Sequence, residues 1–464
     1  MGEAYVNFLG GSPLNRLSWL RTSQPFLNAV VHAPSTRWVV FKEGQPLVQT
    51  QPNVQKQSLA RLTTTDVRPL LGPEPFFAQG QHEGELAPSD VSGLDAARLR
   101  GTPVVFLGLH ETEAGSANAL PSSDFSAKSS AETVIANIQG TPYFSLDVSN
   151  VAPAEVDEVL KNAPATKEGA ELAFSEPRSA MGNLDAFDAA LFAEARSMVD
   201  WNARNKFCPS CGSPVYSLWA GWKLSCSTLL PWTDNAGKKP CPTARGLHNF
   251  AHPRTDAVVI MAVIDESGDR ILLGRNKKWP GKFYSCMAGF IEPGESFEDA
   301  VKRELWEEAG VKAWDVRYHS TQPWPYPANL MVGFYARASS SQPLRTDLDN
   351  ELEEARWYTR DEILQVLSNK DGTTLTRRDQ RELSAAAERS NNNQEPTSSS
   401  TANPLAGDAV KEGEKAVANA APDPPSAPPF RMPPRTAIAG VLIAEWAYGR
   451  AGFQPEPAGK RGNL

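Results

Sequence analysis

Three glutamates carry the strongest chemical signal in this chain. Glu304, Glu307 and Glu308 stand at i, i+3 and i+4, a spacing that projects their carboxylates from neighbouring positions of one helix. Like charges held that close repel unless a cation sits among them, and hard oxygen donors at this density suit Mg²⁺ or Mn²⁺. A solvated acidic helix face would show the same three residues. The flanking residues describe the helix that must position them. Pro293-Gly294 marks a turn. Ser296 can cap the helix with Asp299 as its capping-box partner. Phe297, Val301 and Leu305 step by four and can dock on a sheet, and Gly310 is placed to stop the helix. The spacing predicts a helix over 296–309.

A second cluster is built from sulfur. Cys208-Pro209-Ser210-Cys211-Gly212 is a CxxCG knuckle whose two thiolates can face one tetrahedral ion. A second pair must complete the site, and Cys226 and Cys241 are the two cysteines available for it, with fourteen residues between them. This pattern favours structural Zn²⁺ over free thiols. Zinc ribbons also occur in nucleic-acid binders, so the motif alone says little about activity. The fifth cysteine, Cys286, sits in an apolar setting and reads as core.

A third segment is Gln322-Pro323-Trp324-Pro325-Tyr326-Pro327-Ala328-Asn329. Its alternate prolines stiffen an extended backbone. Trp324 and Tyr326 offer rigid aromatic faces suited to stacking on a base or nicotinamide ring. The same residues also describe a proline-rich loop pinned to the core by its aromatics.

The elements around these groups form an α+β or α/β chain of two or three domains, as 464 residues require. Residues 1–200 are strand-rich, with β-prone runs at 37–41, 103–108 and 142–148. A helix is expected over 183–202, with Phe187, Leu191, Ala195 and Met198 on one side. Beyond the cysteines, strands at 256–264, 270–274, 330–336 and 355–358 alternate with helix, as in a layered α/β unit. From 388 to 429 the composition collapses to Asn, Ser, Pro, Ala and Glu, a disordered insertion that cannot bury enough apolar area to order itself. Residues 436–448 read as a short amphipathic helix. The net charge of −8 disfavours a general nucleic-acid or acidic-membrane binder. No apolar run approaches a bilayer span, and the start lacks the pattern of a secretory signal. The last three residues, Gly462, Asn463 and Leu464, are not the Ser-Lys-Leu peroxisomal address.

Taken in full, Gly289, Glu295, Arg303-Glu304-Leu305, Glu307-Glu308 and Gly310-Val311 match every fixed position of the Nudix box. The chain therefore resembles the Nudix hydrolases. The resemblance implies an α/β/α sandwich that cleaves a nucleoside diphosphate linked to another group. It makes Glu304, Glu307 and Glu308 metal ligands, Arg303 a structural partner, and Glu295 a support of the loop that can also reach a metal. The segment from Gln322 is similar to the QPWPFP motif of the NADH pyrophosphatase subfamily, with Tyr326 where Phe is usual and Asn329 where Ser is often found. That similarity implies that Gln322, Pro323, Trp324, Pro325, Tyr326, Pro327, Ala328 and Asn329 line the dinucleotide site. It adds Glu351 as a further metal ligand, with Glu353 and Glu354 as neighbouring alternatives. It also brings Ala439, near the start of the last helix, to the substrate, and His252, where the subfamily has a substrate-facing tyrosine.

The resemblance divides the chain into an NADH pyrophosphatase-like N-terminal domain (1–200), a zinc ribbon (201–253), a Nudix domain (254–387), the insertion (388–429) and a C-terminal helix completing the Nudix domain (430–464). Here Cys226 and Cys241 are further apart than the subfamily's second pair, which implies an inserted loop over 227–240. The expected reaction is metal-dependent hydrolysis of NADH or NAD⁺ to NMN(H) and AMP. The alternatives are another dinucleotide, an NAD-capped RNA 5′ end, or a non-catalytic zinc-ribbon module with a relict box, the last opposed by the intact ligand set. The resemblance further implies a homodimer, in cytoplasm or peroxisome.

Overall fold

The β-branched and aromatic runs of the sequence become strands, and the segments between them supply the helices. The computed structural model describes residues 7–52, 57–72, 74, 76–77, 102, 104–111, 130–229, 237, 241, 253–277, 279, 281–292, 295–348, 351–374 and 428–452. The expected insertion thus lies outside the described residues except for its last two. The chain forms two compact units. The first comprises Met1–Val259, Phe290–Gly294 and His319–Gly333; the second comprises Ile260–Gly289, Glu295–Tyr318 and Phe334–Leu464.

In the first unit, β1 (Arg37–Lys42), β2 (Gln45–Thr50), β3 (Gln57–Leu59), β4 (Val104–His110), β5 (Thr141–Asp147) and β6 (Glu171–Phe174) form a sheet of order β3-β2-β1-β5-β4, with β6 also on β2. Helix α1 (Ala186–Arg204) is capped by Asp185, whose side chain accepts from the Asp188 N–H. Its apolar stripe packs on the sheet: Leu191, Ala195 and Met198 are buried among Val39, Phe41, Val105 and Leu107, and Phe187 is partly buried beside them. The cysteine hairpin pairs β7 (Val215–Leu218) with β8 (Lys223–Cys226). Its tip reaches β4. The Trp222 indole N–H donates to the Phe106 carbonyl at 2.7 Å. Gly221, at φ +91°, lies so near β4 that a Cβ there would meet Val105 Cγ2 at 2.7 Å, so only glycine allows that approach.

A second six-stranded sheet has the order β12-β13-β9-β10-β14, with β11 on β9. These strands are β9 (Asp256–Ile264), β10 (Arg270–Asn276), β11 (Met287–Phe290), β12 (Ala313–Trp324), β13 (Asn329–Ala338) and β14 (Leu352–Thr359). Within the second unit lie α2 (Phe297–Ala309), α3 (Arg360–Ser368) and α4 (Ile438–Ala447). The amphipathic reading of this last helix is corrected. Residues 438–444, Trp446 and Ala447 are all buried. Glu445 is the sole charged residue in the helix, and a helix apolar all round belongs inside. The Trp446 indole donates to the Gly268 carbonyl at 3.1 Å, and Tyr335 Oη donates to the Leu442 carbonyl at 2.7 Å. Cys286 is buried as expected, and burial pushes its thiol up to about 12. Among the described residues, no helix is long and apolar enough to cross a membrane.

Candidate active site

The carboxylate helix α2 forms as its caps dictate. Ser296 accepts from the Asp299 N–H and Asp299 accepts from the Ser296 N–H, a complete capping box. Gly310 ends the helix in the left-handed region at φ +68°. Val301 and Leu305 are fully buried, while Phe297 stays partly exposed with its ring 6.1 Å from Phe334.

The cation among the carboxylates is Arg303. Its Nε and Nη2 donate to the two oxygens of Glu295 at 2.6 and 2.9 Å. Nη1 donates to Glu304 at 2.8 Å and to Glu307 at 2.9 Å. One guanidinium therefore orients three carboxylates by charge-assisted bonds, and the Glu295 pair above all holds Arg303 well above its ordinary pKa. Glu308 is buried and accepts from the Ala288 N–H at 3.1 Å. Glu304 lies so close against Gly289 that a Cβ there would meet Glu304 Cδ at 1.9 Å. The box thus opens on glycine because the carboxylate occupies the space of a side chain. Burial raises the Glu304 pKa, and the charges of Glu307 and Glu351 raise it further, against the lowering effect of Arg303.

Glu351 accepts from Asn276 Nδ2 at 2.9 Å. Its neighbours turn elsewhere: Glu353 pairs with Arg275 at 2.9 Å, and Glu354 accepts from Tyr284 Oη at 2.7 Å. Among the three, Glu351 is the one whose field acts on Glu304. This donor set has the chemistry of a hard-cation site, since a divalent ion would relieve the repulsion that burial leaves in Glu304. In this arrangement Arg303 Nη1 bonds both Glu304 and Glu307.

The four cysteines converge. The sulfurs of Cys208, Cys211, Cys226 and Cys241 all lie within 4.8 Å of one another, and none is in a disulfide. Cys208 and Cys241 are 3.7 Å apart, Cys211 and Cys226 3.4 Å. The knuckle is closed by the Gly212 N–H donating to the Cys208 carbonyl at 2.8 Å. β8 then carries Cys226 back opposite Val215. Burial raises the Cys211 thiol, but hydrogen bonds at Ser213 outweigh it and bring it down to about 6, while burial pushes Cys226 up to about 12. Four thiols in this arrangement fit a tetrahedral Zn²⁺. The inserted loop expected over 227–240 lies mostly outside the described residues, yet Cys241 returns to the cluster.

The segment 322–329 is held by residues that sequence spacing does not reveal. Gln322 is buried and donates from Nε2 to the Phe8 carbonyl at 2.8 Å. Trp324 packs on the cluster of Leu9, Leu14 and Leu191. Arg178 and Arg196 stand 4.7 and 4.9 Å from the Tyr326 ring, and Tyr326 Oη donates to Met181 Sδ at 3.5 Å. Arg196 Nη1 also donates to the Pro325 carbonyl. The Ala328 carbonyl accepts from the Asp256 N–H at 2.9 Å. Pro323 and Pro327 are partly buried. Asn329 Oδ1 is buried without a hydrogen-bond partner among the described residues. Both aromatics are thus packed against residues far away in the chain. Ala439 is the second residue of α4, buried, with its carbonyl 3.9 Å from the Cys286 thiol that donates to it. His252 lies outside the described residues.

A capped helix presenting clustered carboxylates around one arginine, beside a six-stranded sheet, defines a Nudix hydrolase, and a NUDIX domain matches residues 253–380. An NADH pyrophosphatase-like rudimentary NUDIX domain matches residues 35–201. The chain belongs to the NADH pyrophosphatase subfamily of the Nudix hydrolases. The NAD-capped RNA hydrolase of Schizosaccharomyces pombe is 32% identical over 373 residues, 79% of this chain and 87% of that protein. The NAD-capped RNA hydrolase NPY1 of Saccharomyces cerevisiae is 32% identical over 375 residues, 79% of this chain and 88% of the relative. The human NAD-capped RNA hydrolase NUDT12 is also 32% identical over 375 residues, 79% of this chain and 69% of its own length.

Proposed function

We propose that this protein hydrolyses the pyrophosphate bond of an NAD(H) moiety, releasing NMN(H) and an adenylate product. The observation that carries the reading is the arrangement of Glu304, Glu307 and Glu308 around Arg303, with Glu351 close enough to act on Glu304. Glu304, Glu307, Glu308 and Glu351 would hold Mg²⁺ or Mn²⁺, and Glu295 supports them through Arg303. Such ions neutralise pyrophosphate charge and lower the pKa of water. The chain's own contribution is to hold these carboxylates in place. Arg303 and the Ala288 N–H orient them before substrate arrives, so little reorganisation is needed during reaction. Recognition is assigned to 322–329, where Asn329 offers a carbonyl oxygen with no partner among the described residues, and to Ala439 and His252. The cysteine site is structural.

A second reading has the same bond cleaved at an NAD-capped RNA 5′ end, leaving 5′-monophosphate RNA. The names of the three relatives favour it at least as strongly as free NADH or NAD⁺. One assay separates the readings. Purified protein with Mg²⁺ or Mn²⁺ is offered NADH, NAD⁺, ADP-ribose and NAD-capped RNA, and the products are separated. Release of NMN(H) from free dinucleotide is expected. Release from capped RNA alone would transfer the function to the second reading, and no release from either would reject both.

A further inference from the structure

Several positions of the 320–328 stretch, itself part of the first unit, are held by groups from elsewhere in that unit. Asn7 is buried, and its Nδ2 donates to Ser320 Oγ at 2.9 Å and to the Thr321 carbonyl at 2.8 Å. The next residue of that same strap, Phe8, accepts from Gln322. Further along, Arg196 of α1 takes the Pro325 carbonyl, and it flanks the Tyr326 ring together with Arg178. Arg196 is itself held on a helix capped by Asp185 and docked on the sheet by Leu191, Ala195 and Met198.

We infer that Asn7 and Arg196 are positioning residues that set the register of the 322–329 segment, and that the first unit thereby sets specificity for the nicotinamide half of the substrate. This rests on the assignment of that segment to NAD(H) recognition. The physical reason is that prolines at 323, 325 and 327 remove three backbone donors. The segment therefore cannot fix itself by strand pairing alone, and its carbonyls need outside donors. Arg196 supplies one to Pro325, and Asn7 supplies one to Thr321. Neither residue is placed among the metal-binding carboxylates.

The test uses the full-length, metal-loaded protein. KM and kcat are measured for NADH and for ADP-ribose, which shares the pyrophosphate but lacks the nicotinamide. Losing a charge-assisted hydrogen bond to a carbonyl is worth about tenfold. Arg196→Met should therefore raise KM for NADH about tenfold, change kcat less, and lower the NADH to ADP-ribose ratio of kcat/KM by a similar factor. Arg196→Lys should restore part of that ratio. Asn7→Ala should shift the ratio in the same direction by about threefold, and it keeps the proposal testable if the arginine variant fails to fold. Amide hydrogen exchange reads the anchoring without any substrate: Arg196→Met should speed exchange in 322–328 and spare 297–309. Equal losses on both substrates, no recovery with lysine, or unchanged exchange in 322–328 would overturn the inference. Absence of NADH turnover in the unmodified protein would instead overturn the proposed function, and with it the substrate named here.

Discussion

The carboxylate helix and the proline-rich segment carry comparably distinctive sequences, yet they are held by opposite means. Around the helix, Arg303 reaches residues one, four and eight positions away, and Glu308 accepts from an N–H twenty positions back. Around the segment, Arg196 acts across 129 positions, Met181 across 145 and Phe8 across 314. Local contacts write themselves into spacing, because the helical repeat dictates which side chains meet. Distant contacts leave no periodic trace. The helix should therefore lose chemistry when altered and keep its fold, whereas the segment should lose stability and recognition together.

The largest expected effect tests a third, distantly closed site. Cys208 and Cys241 lie 33 positions apart and meet only in the folded chain. About one Zn²⁺ per chain should be found by metal analysis. Cys241→Ser should lose it together with several kcal/mol of stability, since binding energy at a structural zinc site is folding energy. Full zinc occupancy in that variant would show that the fourth ligand is another residue.

Next comes Glu308→Gln. Glutamine can still accept from the Ala288 N–H, so the melting temperature should change little. The charge is lost, and kcat should fall at least about a hundredfold, as when a key electrostatic group is removed. Near-normal turnover at saturating metal would dissolve the contrast by removing chemistry from the helix.

The smallest effect is assigned to Tyr326→Ala. Its ring lies against two guanidinium groups and Met181, so truncation should cost about 2 kcal/mol from lost packing and cation–π contact. A lowered melting temperature with a raised KM for NADH is expected. An unchanged melting temperature with a several-fold rise in KM would move the ring from anchor to direct ligand, and so sharpen the comparison in the other direction.

The carboxylate helix was legible almost to the residue: a capping box at Ser296, a stop at Gly310, and three glutamates at i, i+3 and i+4 are consequences of a single local repeat. The knuckle of Cys208 and Cys211 was legible for the same reason. The last helix is not amphipathic, and its near-absence of polar residues marks it for burial. Other features were decided by tertiary structure alone. Glu351, rather than Glu353 or Glu354, acts on Glu304, because Arg275 and Tyr284 engage the other two. Trp324 and Tyr326 pack against Leu9, Arg178, Met181 and Arg196, and no spacing in the chain connects those residues. What a helix repeat or a metal knuckle enforces can be read from neighbours in sequence. What surrounds the two aromatic rings depends on partners that only folding brings into reach.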